Sequence, residues 1–167
     1  MKRHLWVSSF VLLACVGCDH AAKQAAEQWL ADSGRILLFG GVVQLELVAN
    51  PGAFLSLGAE LPETLRQLVL IGFVPLMLVC VGWRLFRSPG ASRAQALAFG
   101  LIAGGGFANW LDRIRGDGSV TDFVSLGLGP LRTGIFNVAD MAITFGALFL
   151  VFQSFRQKET VERIESP

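Results

Sequence analysis

The sequence predicts an all-α membrane protein: four transmembrane helices with a small extracytoplasmic β-hairpin. Three observations point there. Hydrophobic residues make up 53% of the 167 positions and charged residues 16%, too apolar a balance for an ordinary soluble domain. The apolar residues gather into long runs separated by short polar connections. Between Trp29 and Leu65 the helical spacing gives way to alternation, with Val43, Leu45 and Leu47 interleaved by Gln44 and Glu46. At this length the simplest organisation is one membrane-embedded domain, residues 1–167.

The first span covers residues 5–27. Lys2 and Arg3, followed by an apolar run ending Leu12-Leu13-Ala14-Cys15, imitate a secretory leader with a small-residue cleavage site. Three further apolar spans favour a spanning helix over a lipoprotein leader cut near Cys15 or Cys18, and continuation through Asp19, Lys23 and Glu27 gives it spanning length. Asp19 and Lys23 share a helix face, as a local ion pair or as a brace for a site. Residues 35–50 form the hairpin, with Gly40-Gly41 as its two-residue turn. It ends at Asn50-Pro51-Gly52-Ala53-Phe54, where Pro and Gly bend the chain and leave an amide side chain at the bend.

The second span, 65–86, contains Gly72 and Pro75, which are tolerated in a membrane helix whose neighbours satisfy the freed backbone. A basic turn follows, with Arg84, Arg87, Ser88-Pro89-Gly90 and Arg93. In the third span, 94–113, Gly100 and Gly104 make a small-xxx-small pair, and Gly104 to Gly106 would admit another backbone closely. The fourth span is 134–155. Residues 156–167 read as a charged, solvated and partly disordered tail.

A net charge of +1 gives no support to a nucleic-acid partner. No Cys/His cluster has ligand spacing, so neither a metal nor a cofactor is expected, and Cys15, Cys18 and Cys80 read as small apolar packing residues. Lys2 and Arg3, then Arg84, Arg87 and Arg93, then Arg156, Lys158 and Arg163 fall on one side of a four-span bundle. The positive-inside rule makes that side, with both termini, cytoplasmic. Arg35, Arg113, Arg115 and Arg132 remain on the other. The polar residues of the spans and their edges (Asp19, Lys23, Asn50, Asn109, Asp112, Arg113, Asp122, Asn137 and Asp140) all map to that outer side.

Asn109, Asp112 and Arg113 lie three and four apart, as do Asn137 and Asp140, so two polar helix faces confront each other at the membrane edge. Singly, Asp140 is explained as a first-turn acid suited to the helix dipole and Asp122 as a loop carboxylate in water. Together they suggest general acid and base work. His4 and His20, the only histidines, are poorly placed to serve both. Two carboxyls held close cannot both ionise; one takes a proton from water while the other, still protonated, polarises a scissile carbonyl. Such a pair titrates as a unit.

The blocks Asp19-His20-Ala21-Ala22-Lys23, Asn50-Pro51-Gly52-Ala53, Gly105 to Arg113, Val120-Thr121-Asp122-Phe123 and Phe136-Asn137-Val138-Ala139-Asp140 resemble the five ordered motifs of the bacterial lipoprotein signal peptidase (signal peptidase II) family. The resemblance spans nearly the whole chain. It implies a four-helix membrane aspartic endopeptidase of the bacterial inner membrane with an extracytoplasmic β-cradle, acting on diacylglyceryl-prolipoproteins in contact with membrane lipid and cutting on the amino side of the lipidated cysteine. By the same matching Asp122 and Asp140 are catalytic. Asn50, Gly52, Asn109, Arg113 and Asn137 support substrate or dyad, and Asp19, Lys23 and Asp112 match as further supporting positions. A monomer is expected. Three departures, at Ala22, Phe54 and Thr133-Gly134, fall where the lipid and peptide groove is shaped, and none touches the dyad. The alternative from another class is a small polytopic binding or transport subunit, disfavoured because a pathway needs polar groups through the whole membrane depth.

Overall fold

Among the described residues three segments are long and apolar enough to cross a membrane: His4–Leu30, Glu63–Trp83 and Val138–Arg156. The computed structural model describes residues 3–87 and 92–165; Lys2, the Ser88-Pro89-Gly90 turn and the last two residues of the tail lie outside them. Helix α1 (Arg3–Leu30) is followed by strands β1 (Ile36–Leu38) and β2 (Val43–Asn50), and then by α2 (Glu63–Gln67). A π-helical segment (Leu68–Phe73) leads into α3 (Val74–Phe86) and α4 (Arg93–Arg115). Strands β3 (Val120–Leu128) and β4 (Leu131–Arg132) precede α5 (Val138–Glu165).

The π-helical segment has a local cause. Pro75 has no N–H to give to the Ile71 carbonyl one turn back, and that carbonyl accepts instead from the Trp110 indole Nε1–H of α4 at 3.0 Å. A neighbouring helix thereby satisfies a carbonyl that would otherwise be orphaned in lipid. Helix α4 starts at a capping box, with Ser92 Oγ accepting from the Gln95 amide and Gln95 Oε1 accepting from the Ser92 amide. It packs between α1 and α5.

Small residues make that packing possible. A β-carbon on Gly100 would stand 2.8 Å from the Ser8 carbonyl oxygen, and one on Gly104 2.7 Å from Cys15 Cβ, so α4 lies directly on the backbone of α1. Gly105 faces the Ala139 carbonyl of α5 in the same way. The buried apolar side chains are accordingly mostly alanines (Ala26, Ala96, Ala98, Ala108, Ala139, Ala142), and the largest fully buried side chains are Asn137, Asp19 and Asp122.

The β part differs from the sequence expectation of a hairpin alone. It is a four-stranded antiparallel sheet in the order β1-β2-β3-β4, with a bulge in β2 between Leu45 and Val48. The β1–β2 connection is a 3₁₀ turn over Phe39–Gly41 rather than a two-residue Gly-Gly turn, and Phe39 itself takes φ 53°. Asp122 stands in β3, not in a loop. Phe136 N donates to the Val124 carbonyl at 2.8 Å, tying the chain just ahead of α5 to β3, so α5 begins at Val138 and not near residue 134. At its far end α5 runs on to Glu165, where a solvated tail is expected from sequence. Gln157, Lys158 and Glu159 are good helix formers on a helix already nucleated.

Candidate active site

The polar residues converge where the Leu30 ends of α1 and the Arg115 end of α4 meet the start of α5 and the Asn50 end of the sheet. Asp122, opposite Val48 across the β2/β3 ladder, is 1% exposed. Its Oδ2 accepts from Asn50 Nδ2 at 2.8 Å and its Oδ1 from Asn137 Nδ2 at 2.6 Å. Asn50 is held by its own bend: its Oδ1 accepts from the Gly52 amide at 2.9 Å and its Nδ2 also donates to the Ala53 carbonyl. A β-carbon on Gly52 would stand 2.8 Å from the Ser56 and Leu57 carbonyl oxygens, so only glycine lets the bend close this tightly.

Asn137 is the N-cap of α5, with its Oδ1 accepting from the Asp140 amide at 2.8 Å. The Ala139 amide, another of the donors a helix start leaves unpaired, is taken by Asp19 Oδ1 of α1 at 2.8 Å. Two elements thus fix the first turn of α5, and with it Asp140. Asp140 Oδ1 accepts from Asn109 Nδ2 at 2.8 Å, while Asn109 Oδ1 accepts from Asn137 Nδ2 at 3.1 Å and from Lys23 Nζ at 3.0 Å. Because an ammonium and an amide NH₂ only donate, Lys23 and Asn137 together set which way the Asn109 amide points: oxygen to these two donors, NH₂ to Asp140. Lys23 is itself buried and ion-paired at 2.6 Å to both Asp19 and Asp112. Arg113 donates through Nη1 to the Asn109 carbonyl and through Nη2 to the Gly52 carbonyl.

The two carboxylates are joined through Asn137 and Asn109 into one hydrogen-bonded chain running Asn50, Asp122, Asn137, Asn109, Asp140. Burial pushes the Asp122 carboxyl up to about 6, against the lowering effect of the Asn50 hydrogen bond. The charge of Asp140 raises it further, and the Asn137 hydrogen bond and Lys23 oppose.

Two apolar cavities adjoin this chain. One, of about 450 Å³, has Asn109, Arg113 and Asp140 at one end and runs along Leu70, Val74, Ile143 and Leu148. The buried Nε of Arg113 has no partner among the described residues. The other, of about 440 Å³, lies between the sheet (Val43, Val124, Leu126) and α5 (Met141, Phe145). Phe54 and Thr144 line both.

A comparison of families gives the signal peptidase (SPase) II description to residues 11–156, most of the chain. The chain belongs to the signal peptidase II family. It is 36% identical over 155 residues to the lipoprotein signal peptidase of Sulfurihydrogenibium sp. (strain YO3AOP1), covering 92% of each chain. Against the lipoprotein signal peptidase of Treponema denticola it is 32% identical, covering 95% of this chain and 96% of the relative. Among solved structures, a bacterial membrane enzyme determined by the in meso method at 2.3 Å superposes with a TM-score of 0.78 at 18% identity, covering 96% of this chain and 93% of that one, which establishes a shared fold.

In this peptidase every residue singled out from sequence (Asp19, Lys23, Asn50, Gly52, Asn109, Asp112, Arg113, Asp122, Asn137, Asp140) enters the one network. Asp112 enters it only through Lys23. Thr144 was not singled out. Its hydroxyl donates to the Asp140 carbonyl at 2.8 Å and it borders both cavities; its place four residues after Asp140 is the signal that would have found it. Gly134 lies against Leu55, next to Phe54, where a β-carbon would stand 3.1 Å from Leu55 Cβ.

Proposed function

We propose that Asp122 and Asp140 are the catalytic pair of this peptidase and that it removes the signal peptide from diacylglyceryl-modified prolipoproteins, cutting on the amino side of the lipidated cysteine. The observation carrying this reading is the amide bridge from Asp122 through Asn137 and Asn109 to Asp140, which holds two buried carboxyls at one place. The pair keeps one proton. The ionised member takes a proton from water as its oxygen attacks the scissile carbonyl carbon, and the protonated member donates to the carbonyl oxygen. Collapse of the tetrahedral diol expels the amine, which leaves with the proton returned through the carboxyls.

Asn50, Asn109 and Asn137 orient the carboxyl oxygens, and Gly52 gives the Asn50 bend its closeness. Asp19, Lys23 and Asp112 form the charged brace behind Asn109. Arg113 keeps its Nε–H free for a substrate carbonyl at the mouth of the cavity that contains Asp140. That cavity, walled by spanning helices, suits an acyl chain entering from the bilayer.

Helix α4 is the fourth crossing. Its 23 residues reach about 34 Å, long enough to cross, and its polar residues Asn109, Asp112 and Arg113 gather at the end that carries the site. Both termini then lie on the cytoplasmic side of the bacterial inner membrane, with the site on the other side, in a single-domain monomer. The test is cleavage of a purified diacylglyceryl-modified precursor by the reconstituted enzyme and by Asp122→Asn and Asp140→Asn. Retained activity in either correctly inserted variant would defeat the assignment.

A further inference from the structure

The sheet carries an apolar end that the proposed chemistry does not use. The β1–β2 and β3–β4 turns lie side by side: Gly127 N donates to the Val42 carbonyl at 2.9 Å, and Arg132 Nη1 donates to the Gly41 carbonyl at 2.7 Å. Together they expose Leu37, Phe39, Leu128 and Leu131, at 58%, 80%, 70% and 82%. In the stretches 36–43 and 126–132 Arg132 is the one charged residue, and its guanidinium is turned inward onto the carbonyls of Gly41, Val42 and Ser125 and onto Ser125 Oγ. A soluble sheet end ordinarily carries exposed charge on such turns.

Depth says what covers this end. Val43 and Leu126, at the turn end of β2 and β3, wall one cavity together with Met141, Thr144 and Phe145 of α5. Phe145 lies seven residues into the apolar segment Val138–Arg156, about 10 Å along the helix. The sheet therefore lies alongside the start of that apolar helix instead of standing beyond it.

We propose that these paired turns are immersed in the bilayer leaflet on the side of the site, so that lipid acyl chains are the partner of Leu37, Phe39, Leu128 and Leu131. The anchor would hold the sheet, and Asn50 and Asp122 at its other end, at a fixed height over the membrane-borne Asp140. This inference rests on the reading that α1 and α5 cross the bilayer.

The test places one tryptophan at Leu131→Trp and, as a water-side reference on the polar face of the same sheet, one at Glu46→Trp. Each full-length variant is reconstituted singly in phosphatidylcholine nanodiscs with or without brominated acyl chains. The native Trp6 and Trp83 report whether the helices are in the bilayer at all: no quenching of the parent protein would sink the spanning reading on which the inference rests. Given quenching of the parent, the emission added by Leu131→Trp should be blue-shifted and lose roughly half or more of its intensity to bromine, as expected for a side chain several ångströms below the headgroups, while that added by Glu46→Trp should not. Equal, weak quenching at both positions overturns the inference. So does a Leu131→Trp signal that is unquenched but blue-shifted only in discs holding two copies, which would make the tips a self-association surface. Retained precursor cleavage certifies that both variants are folded.

Discussion

Along α4, the segment from Ala96 to Gly105 and the segment from Ala108 to Arg113 meet α1 and α5 in different ways. In the first, glycine removes side-chain volume and backbones touch: Gly100 and Gly104 against α1, Gly105 against α5, with Gly146 of α5 set against the Ala98 carbonyl in return. In the second, the same helices are joined by Lys23, Asn109, Asp19, Asn137 and Asp140 through hydrogen bonds and ion pairs. Lipid supplies no hydrophobic drive for helices to associate, so the first segment relies on dispersion at close range. The second relies on the high cost of leaving polar groups unpaired in an apolar surrounding. One segment sets distance and the other sets orientation. Asp140 depends on both, because the residue before it, Ala139, has its carbonyl against Gly105 and its amide on Asp19.

The largest effect should come from the carboxyls themselves. Asp122→Asn and Asp140→Asn keep the shape of each side chain but not its charge, and each should lower precursor cleavage by about 10²–10⁴-fold. Asp140→Asn can still accept from Asn109 Nδ2 through its one amide oxygen and should move thermal unfolding in detergent little, whereas Asp122→Asn turns an NH₂ toward the Nδ2 of Asn50 or Asn137 and should cost about 1–3 kcal/mol. Lys23→Met attacks the orientation segment. It leaves Asp19 and Asp112 without their cation and leaves the Asn109 oxygen with Asn137 as its remaining donor, so we expect about 3–5 kcal/mol of lost stability together with reduced kcat. Pairing it with Asp19→Asn should recover part of the stability without recovering kcat, because Asn109 still lacks its charged donor.

Gly105→Ala attacks the distance segment. Its β-carbon would meet the Ala139 carbonyl, which cannot rotate away, and Ile143 Cγ1 at 2.9 Å, so α5 must shift at a cost of about 1–3 kcal/mol. Gly17→Ala on α1, where a β-carbon meets nothing within 4 Å, should be neutral or slightly stabilising, since alanine is the better helix former. If Gly105→Ala lowered stability yet left cleavage intact, the two segments would be independent and the dependence of Asp140 on both would be wrong.

The site was more legible in the sequence than the fold around it. Three- and four-residue spacing places Asn109, Asp112 and Arg113 on one face, and it survives because a helix has a fixed period. The Asp19 and Lys23 pair reads correctly as local, but its reach to Ala139 and Asn109 depends on helix–helix contacts that periodicity does not encode. Strand β3 was missed for a physical reason. Its alternation is broken by Asp122 and Ser125, both buried polar residues, so Val120–Leu128 resembles a loop until its partners are known. The meeting of Leu55 with Gly134 joins positions far apart in sequence and has no local signal.

The smallest predicted effect separates the carboxyl on the sheet from the helices beneath it. Asp122 in the folded protein titrates near 6 against an ordinary value of 3.8, so the fold binds its proton more tightly than the unfolded chain does. Its contribution is therefore fully present below about pH 4 and is lost as pH rises through about 6. Between pH 5 and pH 7 the melting temperature should fall by the equivalent of about 1 kcal/mol, and Asp122→Asn should remove that slope. Asp140→Asn should shift the Asp122 carboxyl band in infrared titration below 6 without bringing it to 3.8, because burial outweighs the neighbouring charge. A shift all the way to the ordinary value would mean that repulsion between the two acids, and not the dry setting at the end of β3, holds the proton.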